Sequence, residues 1–238
     1  MKKDKMEKLV YVIWKREDLS EGAFKDALLG QTVSDFLELG VGGLSVNVAD
    51  EQLAQAREVR LTRFDPPIAA TVSLWLENVD DRPPCESVLG RISQRAAGYL
   101  VEESVALANS THRAPLGQRT PGANVVACIE RPRRMSREAW TRHWLEEHKK
   151  VALETQCTYQ YLRNLVLRTL TEDAPPWEGI VEEGFPLEAV TDPMLWYRAE
   201  GSAEKMQANM MRMVKSVQAF LDIDRVESNP MSEYRIKE

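Results

Sequence analysis

The chain is poor in the residues that most often announce chemistry. Its 238 residues include three histidines and three cysteines. The cysteines, Cys85, Cys128 and Cys157, are odd in number and far apart. That excludes a disulfide framework and a cysteine-based zinc site, and a reducing, cytoplasmic location is expected. No apolar run reaches membrane-spanning length, so no membrane association is expected. The start, Met1-Lys2-Lys3-Asp4-Lys5, is charged and lacks the apolar stretch of a secretion signal. Positive charge is not in excess either. Thirty-one basic against 37 acidic side chains leave a net charge of −6, which argues against nucleic acid as a partner.

Familiar catalytic motifs are missing too. There is no G-x-S-x-G elbow, no P-loop, and no G-x-G-x-x-G turn opening a helix. Gly40-Val41-Gly42-Gly43 leads into a strand-like run instead. His143 and His148, five apart, would sit about 140° apart around a regular helix, and His112 lies elsewhere, so no metal site is expected. Catalysis of any kind is therefore expected to be acid–base work with no cofactor.

What the chain does have is apolar mass, 43% of residues, and a repeat. Val10-Tyr11-Val12-Ile13-Trp14 reads as a buried strand, followed by Ser20 as the cap of a helix carrying Ala23, Phe24 and Leu29. The order returns 116 positions later, from Ser20 to Ser136, with six further matches: Val10 with Val126, Ile13 with Ile129, Leu19 with Met135, Ala23 with Ala139, Phe24 with Trp140 and Leu29 with Leu145. Each half reads β-α-β-β-α-β. The fold class expected is α+β: two tandem ferredoxin-like units, with antiparallel sheets packing face to face as a dimeric α+β barrel. Residues 1–110 form the first unit, 111–122 a linker rich in Pro and Gly, and 123–238 the second unit. Strands are expected near 9–16, 43–49, 70–78, 104–109, 123–131, 159–169, 194–200 and 232–236. Helices are expected over 20–38, 86–101, 136–154 and 202–221, the last with an apolar stripe of Met206, Met210, Met213, Val214, Val217 and Leu221 facing the core.

Reactive side chains concentrate in the second half. Trp140, Trp144 and His148 recur at i, i+4, i+8 along one helical face, and the repeat partner of His148 is Thr32. A packed, hydrogen-bonded core histidine is an equal reading of that position. In the next strand, alternation sets Tyr159, Tyr161 and Arg163 on one face and Leu162 and Val166 on the other. If the apolar side meets the helices, the Tyr-Tyr-Arg side lines the barrel and suits an aromatic or carboxylated small molecule. Tyr197 and Trp196 on the supposed 194–200 strand would join them. Residues 172–193, with Trp177 and Phe185 among prolines and no Lys or Arg, read as an insertion, either a lid over the barrel mouth or a packing flap.

The run Arg133-Arg134-Met135-Ser136-Arg137-Glu138-Ala139-Trp140, then His143-Trp144-Leu145-Glu146-Glu147-His148, resembles the EthD-like branch of the dimeric α+β barrel superfamily. Tyr161-Leu162-Arg163-Asn164, Leu195-Trp196-Tyr197 and Phe220-Leu221-Asp222 are similar to that family as well. The likeness covers most of 123–238, with residues 1–110 as a degenerate copy lacking the histidine. It implies a cofactor-independent enzyme of small molecules whose single-unit chains dimerise, so a homodimer is expected. His148 would be the general acid or base, Tyr161 and Tyr197 would assist proton transfer, and Tyr159, Arg163, Trp144, Trp177 and Trp196 would bind substrate. The activity expected first is a lyase, a dehydratase or decarboxylase of an aromatic or conjugated compound. A cofactor-free oxygenase or isomerase, or a non-catalytic binding barrel, are the alternatives.

Overall fold

A computed structural model describes residues 6–238. Thirteen elements carry the fold. They begin with β1 (Glu7–Lys15) and α1, which runs Glu21–Ala27, through a π-helical turn Leu28–Thr32, to Val33–Glu38. β2 (Gly43–Val48), β3 (Ala70–Leu76), α2 (Pro83–Leu89) and β4 (Ser93–Leu107) complete the first half. The second half starts with β5 (Ala123–Ile129). Its α3 runs Arg137–Arg142, through a π-helical turn His143–His148, to Lys149–Thr155. Then come β6 (Gln160–Thr169), β7 (Gly179–Phe185), the one-turn α4 (Pro193–Trp196), α5 (Ala203–Phe220) and β8 (Glu227–Lys237).

The eight strands close into an antiparallel barrel in the order β1-β3-β2-β8-β5-β7-β6-β4. Within each half the order is that of a ferredoxin-like sheet, and the halves join along two seams, β2 with β8 and β4 with β6. Closure leaves no sheet edge unpaired. The duplication is visible in the registers. Leu9 lies opposite Leu74 in the first half, and Val125, 116 positions on, lies opposite Glu183 in the second. The N-caps repeat as well: Ser20 accepts from the Ala23 N–H, and Ser136 from the Ala139 N–H.

Side-chain alternation divides the apolar residues into layers. Leu9, Tyr11, Ile13, Leu44 and Leu74 pack outward against α1 and α2 with Phe24, Leu28 and Phe36. Ile129, Tyr161 and Val181 pack outward against α3 and α5 with Trp140, Trp144, Met213 and Phe220. Val10, Val12, Trp14, Tyr99, Val166, Trp177 and Ile180 fill the barrel itself. Of the methionine stripe, Met213 is buried, Met206 and Met210 are partly exposed, and Val214, expected in the core, is exposed at the edge of the stripe.

Three sequence expectations are overturned. The helix expected over 86–101 is short, because Pro83-Pro84 start it early and Gly90 follows its end. Residues 93–107 form instead a 15-residue strand that pairs with both β1 and β6, and pairing on two sides outweighs a helix-like spacing of Ala96, Ala97 and Leu100. The strand expected over 194–200 is the single turn α4: the Asp192 carboxylate accepts from the Met194 and Leu195 N–H groups and Pro193 opens the turn. The third strand of the second sheet is β7, inside the segment read as a lid or flap. Trp177 and Phe185 are core residues there, at 1% and 0% exposure. The pair Glu182-Glu183 disguises this strand in the sequence, because one carboxylate enters the barrel and the next faces the helices. Among the described residues, no helix is long and apolar enough to cross a membrane.

Candidate functional site

Because the chain contains the same layer twice, its first half is an internal control for its second. The registers and the 116-residue spacing match Thr32 with His148, Leu28 with Trp144, Leu44 with Tyr161, Val46 with Arg163 and Leu74 with Glu183. In the first half, between sheet and helices, Leu28, Leu44, Val46 and Leu74 are completely buried hydrocarbon, with Thr32 the one polar member of the set. In the second half the same positions carry an imidazole, a phenol, a guanidinium and a carboxylate. Polar groups buried where hydrocarbon would serve cost stability, and their concentration in one copy makes this layer the candidate site.

Each group has a defined setting. His148 ends the π-helical turn of α3. Its Nδ1 lies 2.9 Å from the Ser216 hydroxyl of α5, and its ring packs 4.8 Å from that of Phe220. Burial, with lesser contributions from His143 and Arg163, lowers its pKa to about 4, so the imidazole is neutral at neutral pH. The π-helical turn also corrects the histidine geometry. With five residues closing the turn, His143 comes onto the same side, its ring 5.3 Å from Phe220. Among the described residues, no group of three or more His, Cys, Asp or Glu is arranged to hold a metal.

Tyr161 and Arg163 face these helices and not the barrel, which reverses the expected orientation of the Tyr159, Tyr161, Arg163 face. Leu162 and Val166 are the inward pair. Alternation defines two faces, and an interior able to take apolar side chains decides which goes in. Tyr161 is buried, and its hydroxyl is made a weaker acid by burial first and by the nearby Glu183 carboxylate second. The Arg163 guanidinium lies 5.5 Å from the Tyr161 ring. It donates to the Leu145 carbonyl of the π-helical turn at 2.6 Å and to the Ser104 hydroxyl of β4 at 2.6 Å. Its hydrogen bonds tie α3 to the β4–β6 seam.

Glu183, a residue the sequence reading passed over, is the most perturbed acid of the layer. It lies opposite Tyr161 on β6 and Val125 on β5. Although the residue keeps some exposure, its Oε1 is enclosed and has no hydrogen-bond partner among the described residues. Burial alone raises its pKa to about 8. On the far side of Val125, its partner on β5, an apolar cavity of about 300 Å³ opens, lined by Val125, Val190, Trp196, Tyr197, Ser228 and Pro230 among others but not by Glu183 itself. Tyr197 leads from this cavity to the packed layer, with its carbonyl accepting from Asn209 of α5 at 2.8 Å. Trp196 stacks on Phe185 at 3.8 Å and floors the cavity.

The remaining expected site residues lie elsewhere. Tyr159 stacks on His112 at 4.0 Å and donates to the Pro121 carbonyl at 2.8 Å, which fastens the 111–122 linker. Trp177 is inside the barrel, beside Trp14, Phe64 and Tyr99. The structure thus brings together His148, Trp144, Tyr161 and Arg163, sets Tyr197 and Trp196 at their edge, and separates Tyr159 and Trp177 from them.

Comparison with protein-family models finds no match, and comparison with curated proteins finds none either. Solved structures do match. An anthrone oxidase-like protein superposes with a TM-score of 0.57 at 11% identity, over 99% of this chain and 95% of its own. A candidate monooxygenase from Fusobacterium nucleatum superposes with a TM-score of 0.52 at 10% identity, over 98% of each chain. The names of these neighbours point to oxygen chemistry, and the expectation of a cofactor-independent lyase is corrected on that account. Its error came from choosing among the reactions of a family on residues that acid–base lyases and oxygen-using enzymes share. At these identities the likeness establishes architecture: the chain has the dimeric α+β barrel fold, with both ferredoxin-like halves in one polypeptide.

Proposed function

We propose that the protein is an oxygen-dependent enzyme oxidising an electron-rich aromatic small molecule in the helix-facing layer of its second half. The observation that carries this reading is the exchange of Thr32, Leu44, Val46 and Leu74 for His148, Tyr161, Arg163 and Glu183 between two layers of equivalent strand and helix positions. The apolar cavity bordered by Trp196 and Tyr197 suits a flat, largely hydrocarbon ligand. The names of the two neighbours supply the oxygen chemistry by analogy of fold. The finer affiliation with the EthD-like family, carried by the Ser136 to His148 run, belongs to the same reading, as do an aromatic substrate, a homodimer and a cytoplasmic location suited to three free cysteines.

Glu183 is the base in this account. A carboxylate whose conjugate acid titrates near 8 takes a proton far more readily than an ordinary glutamate. The proton comes from an acidic ring methylene or phenol of the substrate, and the carbanion or phenolate so formed is electron-rich enough to reduce dioxygen. For a methylene between two rings the balance is CH2 plus O2 giving C=O plus H2O, with no electron drawn from the protein. Tyr161 and Tyr197 supply hydroxyls near the developing oxyanion, and neutral His148 positions α3 against α5.

Anthrone is a suitable probe, followed with an oxygen electrode. The reading expects one dioxygen consumed per substrate oxidised and no turnover under argon. Turnover that proceeds without oxygen, or a bound probe returned unchanged in air, would overturn it.

A further inference from the structure

The open end of the barrel where β1 begins holds a second cavity, in a different compartment from the layer above. It measures about 190 Å³ and is lined by charged and apolar side chains together. Residues of seven strands, all but β5, line it. The Glu182 carboxylate accepts from Asn164 at 3.0 Å through Oε1 and from Asn47 at 3.0 Å through Oε2, and Lys8 stands 3.6 Å away. Lys8 is also bonded to Glu103. Among these five groups both oxygens of Glu182 are bonded and Lys8 is paired with two carboxylates.

Glu233 does not belong to that set. It is 5% exposed and lines the cavity. Its Oε1 accepts from Gln160 at 2.9 Å, whereas Oε2 is buried with no hydrogen-bond partner among the described residues. Burial raises the Glu233 pKa and the nearby Glu182 charge adds to it, while Gln160 and Thr120 act to lower it. A buried acceptor without a donor costs free energy that a bound donor returns. Basic groups line the same cavity: Arg113, bonded through Nε to the Asn109 carbonyl, and Arg235, paired with Glu238 at the surface. Trp75 and Leu162 supply apolar wall.

We infer that this end of the barrel is a second ligand site, for a small zwitterion carrying an ammonium and a carboxylate on a short apolar spacer. The ammonium donates to Glu233 Oε2, the carboxylate meets Arg113 and Arg235, and the spacer lies along Trp75 and Leu162. A simple cation would face Lys8, Lys237 and the two arginines, and a simple anion the three glutamates Glu103, Glu182 and Glu233, so both charges are needed on one molecule.

Three probes of one length separate these cases: 6-aminohexanoate, hexylamine and hexanoate, titrated into the full chain by calorimetry. Saturable 1:1 binding of 6-aminohexanoate is expected, at least tenfold tighter than either of the others. Glu233→Gln should weaken it at least tenfold. Arg113→Ala, at the surface and therefore tolerated by the fold, should bring its affinity down to that of hexylamine. The inference is overturned if none of the probes binds below 10 mM, if hexylamine or hexanoate binds as well as the zwitterion, or if both variants, folded by circular dichroism, bind like wild type.

Discussion

At the scale of single residues, the layer in the second half is a pair of groups whose ionisation is displaced in opposite directions. Glu183 has a folded-state pKa above its unfolded value, so the folded state holds the proton more tightly. Its contribution to stability is complete below about pH 4.5 and is lost as pH rises towards 8. His148 has a folded-state pKa below its unfolded value. Its contribution is complete above about pH 6.5 and is lost as pH falls towards 4. Between pH 4.5 and 6.5 the two oppose each other, and between 6.5 and 8 Glu183 acts alone. Denaturant unfolding of the wild type should therefore show stability falling from pH 6.5 to 8. In Glu183→Leu, which restores the residue of the first half, that decline should be absent and the loss below pH 6.5 steeper. A wild-type profile that is flat between 6.5 and 8 would contradict the displaced carboxyl.

At the scale of elements, α3 shows what local pattern can and cannot convey. The spacing of Trp140, Trp144 and His148 predicts one buried helical face, and all three are buried. The π-helical turn is not legible in that spacing, and it recurs at Leu28–Thr32 of the first half, so it belongs to the repeated layout and not to the second-half side chains. The Leu145 carbonyl is taken by Arg163. Replacing Arg163 with Met should cost about 1–3 kcal/mol by leaving that carbonyl and Ser104 without their donor, measurable by denaturant unfolding; a change within 0.5 kcal/mol would show the anchor to be dispensable. Gly179 belongs to the same packing. A Cβ there would come within 2.6 Å of the Trp144 ring, whereas its counterpart in the first half, Ala70, faces a layer built with Leu28 in place of the tryptophan. Gly179→Ala should lower stability by about 1–3 kcal/mol through overpacking and alter the tryptophan near-ultraviolet signal, while an unchanged signal would mean that Trp144 need not move. β7 itself was illegible because Glu182 and Glu183 break the apolar alternation, and only a closed barrel gives each face a use for a carboxylate.

At the scale of the whole molecule, the repeat made the architecture readable. Six matches at one spacing predict two ferredoxin-like units, and the barrel closes from them within the chain. The second half of the correspondence drifted because β7 comes seven residues early relative to β5, while the connection to β8 is longer and holds α4 and an 18-residue α5 where the first half has the seven-residue α2. The orientation of Tyr161 and Arg163 was equally a property of the assembled barrel and not of their own strand. Because β2 with β8 and β4 with β6 are the seams, neither half can cover its inner face alone. Residues 123–238 expressed by themselves should self-associate or aggregate, seen by light scattering after size exclusion, and a well-folded monomer of that half would contradict the intrachain barrel as the unit of stability.

The central claim is that one copy of a repeated hydrocarbon layer has become a site of oxygen chemistry with Glu183 as its base. Oxygen uptake with anthrone, compared between the wild type and Glu183→Leu, tests it most directly. The account predicts that the variant is folded and at least as stable at pH 8, and that its uptake falls by a factor on the order of 100 or more. Uptake retained by a folded Glu183→Leu protein would contradict it.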